Sequence, residues 1–136
     1  MRVLALDLGK RRIGVAMSDP MRIIAQGYET IQRTNIREDL ALLEKIIQEK
    51  EVSQIVIGNP LHMSGRAGRA TDWAQDFANR LIERTSLPVE LWDERMTSVE
   101  AGRVLRSSGI SIEKRAQAVD QLSAVLILEN WLRSHE

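Results

Sequence analysis

The sequence predicts a mixed α/β fold, in which a five-stranded sheet with an antiparallel start carries helices on its faces. Three observations predict it. The first thirty residues hold short apolar runs rich in strand formers, the apolar spacing changes to three and four from Asn35, and strand-like and helix-like segments then alternate. The 136 residues carry 19 basic and 19 acidic side chains and no net charge, which argues against a polybasic tail or an acidic disordered tract. Hydrophobic residues make up 43% of the chain. A domain of this size buries roughly 68% of the surface it exposes when unfolded, so a single domain over residues 1–136 is expected to fold around its own core. The chain has no cysteine, which excludes a disulfide framework, a zinc-thiolate site and a cysteine nucleophile. No apolar run approaches the ~20 residues of a membrane span, and "MRVLALDLGK" meets an acid too early for a signal peptide. A soluble, cytoplasmic protein is expected.

In chain order, "RVLAL" and "RIGVAM" read as strands of a hairpin, with "DLGKR" supplying a glycine turn. A third strand is expected over "IIAQGYETI", interrupted by Gly27, with Asp19-Pro20 opening the turn before it. Asn35 and Glu38 form a cap pair, and Ile36, Leu40, Leu43, Ile46 and Ile47 fall on one face of the helix they start. "QIVIG" is a buried strand and "NPLHMSGRAG" a loop. Ala70, Trp73, Ala74, Phe77, Ala78, Leu81 and Ile82 make the core stripe of the next helix, which ends before Leu87-Pro88. "PVELW" is the last strand, and Thr97 with Glu100 opens a helix that Gly109 closes. A final helix is expected from about Ala118 to Leu132, its "LSAVLIL" stretch largely buried because it is apolar nearly all round.

Three acids stand where apolar residues would be expected. Asp7 ends the first strand directly before Leu8-Gly9, so its carboxylate either bonds turn amides or ligates a metal. Asp93 and Glu94 follow "PVELW" at a strand C-terminus, where open α/β sheets place ligands. Strand alternation lets only one of them share the sheet face of Asp7, and both could instead favour the positive end of a following helix. Asp120 shares a helical face with Ala124, Ile127 and Trp131, a stripe otherwise built for burial, unless it interacts with its own helix N-terminus. Oxygen donors without cysteine suit a hard cation, magnesium or manganese. Such ions clamp phosphates, and pairs of them ~3.5 to 4 Å apart serve phosphodiester cleavage.

Four blocks in order, "ALDLGKRRIGVAMSD", "IVIGNPLHMSGRAG", "WDERMTSVEA" and "KRAQAVDQLSAVLILENWL", resemble the YqgF family over essentially the whole chain. That family is described as Holliday-junction-resolvase-like and as candidate nucleases for the 5′ end of pre-16S ribosomal RNA. The resemblance implies a ribonuclease-H-like fold with acids gathered around divalent metal. The matching positions are Asp7, Glu94 and Asp120, with Asp93 in reserve. The chain departs from the family pattern at Asn59, His62 and Ser64, where a leucine, an asparagine and an aspartate are more usual.

A neutral chain must attract phosphates through local patches. Lys10, Arg11 and Arg12 follow Asp7, Arg95 follows Glu94, and Lys114 and Arg115 precede Asp120; each is a candidate phosphate contact, and each could equally be an ordinary solvated cation. Ser64, Arg66 and Arg69 lie in a small-residue loop before a helix, although its spacing is not that of a P-loop. His62 could be a base or merely structural, and Trp92 is the tryptophan nearest the acids, where a base could stack. The leading expectation is thus a metal-dependent nuclease acting on structured precursor ribosomal RNA, a monomer or weak dimer with no membrane partner. A branched-DNA resolvase and a non-catalytic ribosome-assembly module are the alternatives. A nucleotide phosphotransferase of the actin-like kind would need two related domains, and 136 residues supply one.

Overall fold

The computed structural model describes residues 1–9, 11–59, 69–93 and 112–135; for residues 59, 69–72, 93 and 112–120 it describes the backbone alone. The elements run β1 (Arg2–Leu8), β2 (Arg12–Ser18), β3 (Ala25–Gln32), α1 (Ile36–Glu49), β4 (Val52–Asn59), α2 (Arg69–Thr85), β5 (Val89–Asp93) and α3 (Ile112–Ser134). The five strands form one sheet in the order β3-β2-β1-β4-β5. The β1–β2 and β2–β3 pairs are antiparallel, whereas β1–β4 and β4–β5 are parallel. This is the mixed sheet with an antiparallel start that the sequence predicts.

Central position and two-sided cover explain why β1 is apolar without interruption, since Val3, Leu4, Ala5 and Leu6 are all 0% exposed. Strand alternation then divides the interior. Leu4 and Leu6 pack with Ile13, Val15, Ile55, Ile57 and the inner faces of α1 and α2, whereas Val3, Ala5, Ala16 and Val56 pack under Ala124, Ile127, Leu128 and Trp131 of α3. The side facing α3 is built from smaller residues, with Ala5 directly opposite Ala16. Small side chains let a helix lie close to the strands. At Gly27 the approach is tight: a Cβ there would lie 2.9 Å from Gln121 Cδ of α3. The register between β2 and β3 shifts at Val15/Ala16, leaving Tyr28 as the extra residue of a bulge.

The third strand starts at Ala25, later than the apolar Ile23-Ile24 pair suggests. Both backbone amides donate to Asp19 Oδ1, at 2.7 and 2.8 Å, which ties them into the turn and leaves their side chains exposed. Asn35 caps α1 by accepting from Glu38 N at 2.9 Å, but the Glu38 carboxylate takes the Thr34 hydroxyl at 2.7 Å. Ile82 leaves the expected core stripe and is 41% exposed, because the sheet covers only the face bearing Phe77, Ala78 and Leu81. The last helix begins at Ile112, well before Ala118, and within "LSAVLIL" Leu122, Val125 and Leu126 are only half-buried, since one side of α3 rests on the sheet. The helix expected from Thr97 lies outside the described residues. Among the described residues no helix is long and apolar enough to cross a membrane.

The Ile24 amide, opposed by desolvation and helped by the amides of Ile23 and Met21, holds the Asp19 carboxyl below its ordinary value of 3.8. A depressed folded value means that the stabilisation is present above pH 3.8 and is lost as pH falls through the lower folded value. Asp19→Ala should therefore lower the melting temperature at pH 7 and lower it less at a pH below that range. Thermal melts of both proteins across pH check this, and an equal gap at both ends contradicts it.

Candidate active site

Asp7 is the second-to-last residue of β1 and is 6% exposed. Its parity with Val3 and Ala5 assigns it to the face covered by α3. Directly opposite on β2 is Gly14, which puts no side chain beside the carboxylate. Beyond Asp7 the chain turns tightly, with Gly9 N donating to Arg12 O at 2.8 Å. Arg11, exposed, and Arg12, half-buried, flank this turn.

Parallel pairing brings the C-terminal ends of β1, β4 and β5 to one edge of the sheet. Leu6 pairs with Ile57, and Ile57 with Leu91, so Asp7 falls one step beyond that row, as do Gly58 and Trp92. On β5, Val89 and Leu91 pack on the side of α1 and α2, whereas Trp92 packs on the α3 side. Glu90, of the same parity, accepts a hydrogen bond from Trp131 Nε1 of α3 at 2.5 Å. Helix α3 thus crosses the face from Gly27 on β3 to Glu90 on β5. Asp120 lies four residues before Ala124, which is 0% exposed against the sheet.

Of the acids singled out in the sequence, Asp7 is placed with its side chain. The backbones of Asp93 and Asp120 are described, and Glu94 lies outside the described residues. The same holds among the basic and loop candidates: Arg69, Lys114 and Arg115 have described backbones in the first turns of α2 and α3, whereas Lys10, His62, Ser64, Arg66 and Arg95 lie outside. Among the described residues no group of three or more potential ligands is set to hold a metal.

Two polar assemblies near this edge escape a reading by spacing. Trp131, expected simply as core, stacks on His135 with centroids 3.9 Å apart while its indole N–H is anchored by Glu90. A buried indole needs an acceptor, and the acid inside "PVELW" is the signal that could have supplied one. Arg33 contacts Gly9, Asp39 and Trp73 together, and no local pattern announces it.

A family model described as "RuvX: Holliday junction resolvase" matches residues 1–134. The chain belongs to the RuvX family. Its fellow members include a protein of Koribacter versatilis, 55% identical over 131 residues that cover 96% of this chain and 86% of the relative, named "Putative pre-16S rRNA nuclease". A protein of Syntrophomonas wolfei with the same name is 43% identical over 132 residues, 97% of this chain and 94% of the relative. Among solved structures, Thermus thermophilus RuvC in complex with a Holliday junction substrate aligns with a TM-score of 0.63 at 12% identity, covering 99% of this chain and 96% of that one. Fowlpox virus resolvase in complex with Holliday junction DNA aligns with a TM-score of 0.61 at 8% identity, covering 99% of both chains. These two likenesses establish the resolvase, ribonuclease-H-like fold. RuvX proteins are nucleases, hydrolases of phosphodiester bonds, with nucleic acid as partner. Resolvase-like nucleases generally use divalent metal ions.

The Trp131–Glu90 hydrogen bond fixes the far end of α3 on β5, and its loss has a measurable consequence. Trp131→Phe keeps an aromatic ring but leaves the half-buried Glu90 carboxylate without its indole donor. Unfolding free energy in urea should fall by about 1–3 kcal/mol. An unchanged unfolding free energy would show that the bond contributes nothing.

Proposed function

We propose that this chain is a single-domain, metal-dependent endonuclease of the cytoplasm that processes the 5′ end of pre-16S ribosomal RNA. The observation that carries the reading is Asp7, a carboxylate buried at the C-terminal end of the central parallel strand, on the face α3 crosses. The names of relatives up to 55% identical supply the substrate. In this reading Asp7, Glu94 and Asp120 hold magnesium or manganese. Their donors are all carboxylate oxygens, the chemistry that hard divalent cations prefer, and Asp7 meets the opposite strand at a glycine. Glu94 is preferred to Asp93 because it has the parity of Glu90 and Trp92, the β5 residues that meet α3.

A divalent ion held there would supply charge to offset the scissile phosphate and to favour attack by water. The rest falls to the chain's own side chains. Asp7 supplies a fixed oxygen donor from a strand that cannot shift without disrupting both cores. Arg11 and Arg12, beside the turn after Asp7, meet the phosphate backbone in this reading, as do Lys10, Arg95, Lys114, Arg115 and the Ser64, Arg66 and Arg69 segment. Such contacts position a nucleic acid without reading its sequence, which fits a neutral chain that binds a structured RNA.

A second reading, cleavage of four-way DNA junctions, is favoured by the family's description and by the fold shared with two resolvases. The two are separated by incubating the protein and its Asp7→Asn variant with labelled precursor ribosomal RNA and with a four-way DNA junction, with and without manganese. The expected result is manganese-dependent cleavage of the RNA, lost in Asp7→Asn by more than the ~10–100-fold that outer-shell changes produce. Junction cleavage with the same losses would choose the second reading. Binding of either without cleavage would make the chain an assembly module, and full activity of Asp7→Asn would remove that residue from the site.

A further inference from the structure

Arg33 follows β3 and reaches three elements at once. Its backbone N–H donates to Arg11 O at 2.9 Å and its Nη1 to Gly9 O at 2.7 Å, so a single residue grips the β1–β2 turn at two carbonyls. Its Nε lies 3.8 Å from Asp39 Oδ2 in the first turn of α1, where Asp39 is only 3% exposed and also accepts from Thr34 N at 3.2 Å. The guanidinium plane covers Trp73 of α2, with Cζ 4.0 Å from the ring centroid. Trp73 in turn packs on the buried Phe77, with centroids 5.7 Å apart.

A guanidinium suits this place. It stays charged at any ordinary pH, offers a planar fork of donors and stacks on an aromatic face, three properties that a lysine does not combine. The buried Asp39 holds that charge in position, and the Trp73 ring sets the plane. The turn that Arg33 grips begins two residues after Asp7 and carries Arg11 and Arg12. The helix it stacks on begins at Arg69. Donor oxygens of a metal site must be held to within about 0.5 Å, and a tight turn directly after the ligand is where such precision is won or lost.

We infer that Arg33 is a positioning residue of the nuclease: by clamping the Gly9–Arg11 turn to α1 and α2, it holds Asp7 for its metal and keeps the two basic segments in register. This inference rests on the metal-dependent reading above. In this role Arg33 acts through the turn it grips.

The test uses the full chain and the variants Arg33→Lys, Arg33→Ala and Asp7→Asn. Free manganese is followed by electron paramagnetic resonance, Gly9 amide exchange by NMR and folding by thermal melts, with RNA cleavage alongside. Arg33→Lys keeps a charge for Asp39 but cannot also bond Gly9 O and lie flat on Trp73. It should weaken manganese binding by about tenfold, speed exchange of the Gly9 amide, and lower kcat with little change in KM, at a melting temperature within a few degrees of the parent. Arg33→Ala should show larger changes of the same kind. Wild-type manganese affinity and Gly9 exchange in both variants would overturn the inference, as would losses that track the melting temperature alone, even with Asp7→Asn defective as expected. If the parent protein and Asp7→Asn bind manganese equally, the metal-dependent reading falls, and the inference with it.

Discussion

A strand covered on both faces has no freedom to move, and the placement of everything else in this molecule follows from that condition on β1. Val3 to Leu6 touch no solvent, with odd positions meeting α3 and even positions meeting α1 and α2. A shift by one residue would exchange the two apolar sets and present leucines to a surface shaped for alanines. Asp7 inherits this fixed register. A carboxylate is kept at a nearly buried position only where charge or hydrogen bonds satisfy it, and the immobile strand fixes where that satisfaction must come from.

The opposing face is organised around closeness. Ala5, Ala16 and Gly27 let α3 settle on the sheet, and the Trp131 to Glu90 bond pins its far end to β5. Between these points the helix has one path across the strands, so the turn carrying Asp120 has a defined position relative to the sheet. The proposed site would depend on this backbone proximity as much as on its acids, since a helix held off by larger residues would carry Asp120 away from the strand that ends in Asp7.

Much of this was legible in the chain. Uninterrupted apolar runs in β1 and β4 announce strands buried on both sides, and the Ile36 to Ile47 stripe announces α1. The acid at the end of β1 stood out because a charge closing an apolar strand is rarely idle. What escaped reading depends on tertiary contacts. The start of β3 is decided by the Asp19 carboxylate competing for the Ile23 and Ile24 amides, a contest that alternation does not record. The exposure of Ile82 reflects where the sheet stops, and α3 begins at Ile112, ahead of the apolar stretch that announces it in the sequence. Arg33 gave no signal at all, since its partners lie 24 residues before it, six after it and forty after it in the sequence.

The proposed function comes down to one claim, that Asp7 of β1, Glu94 and Asp120 of α3 share a divalent ion. Paramagnetic broadening tests it without substrate. Manganese added at well below one equivalent to the isotope-labelled protein should broaden the resonances of Asp7, Glu94 and Asp120 together before any others. Broadening that spares one of these three, or that begins at acids elsewhere on the surface, would contradict the shared site.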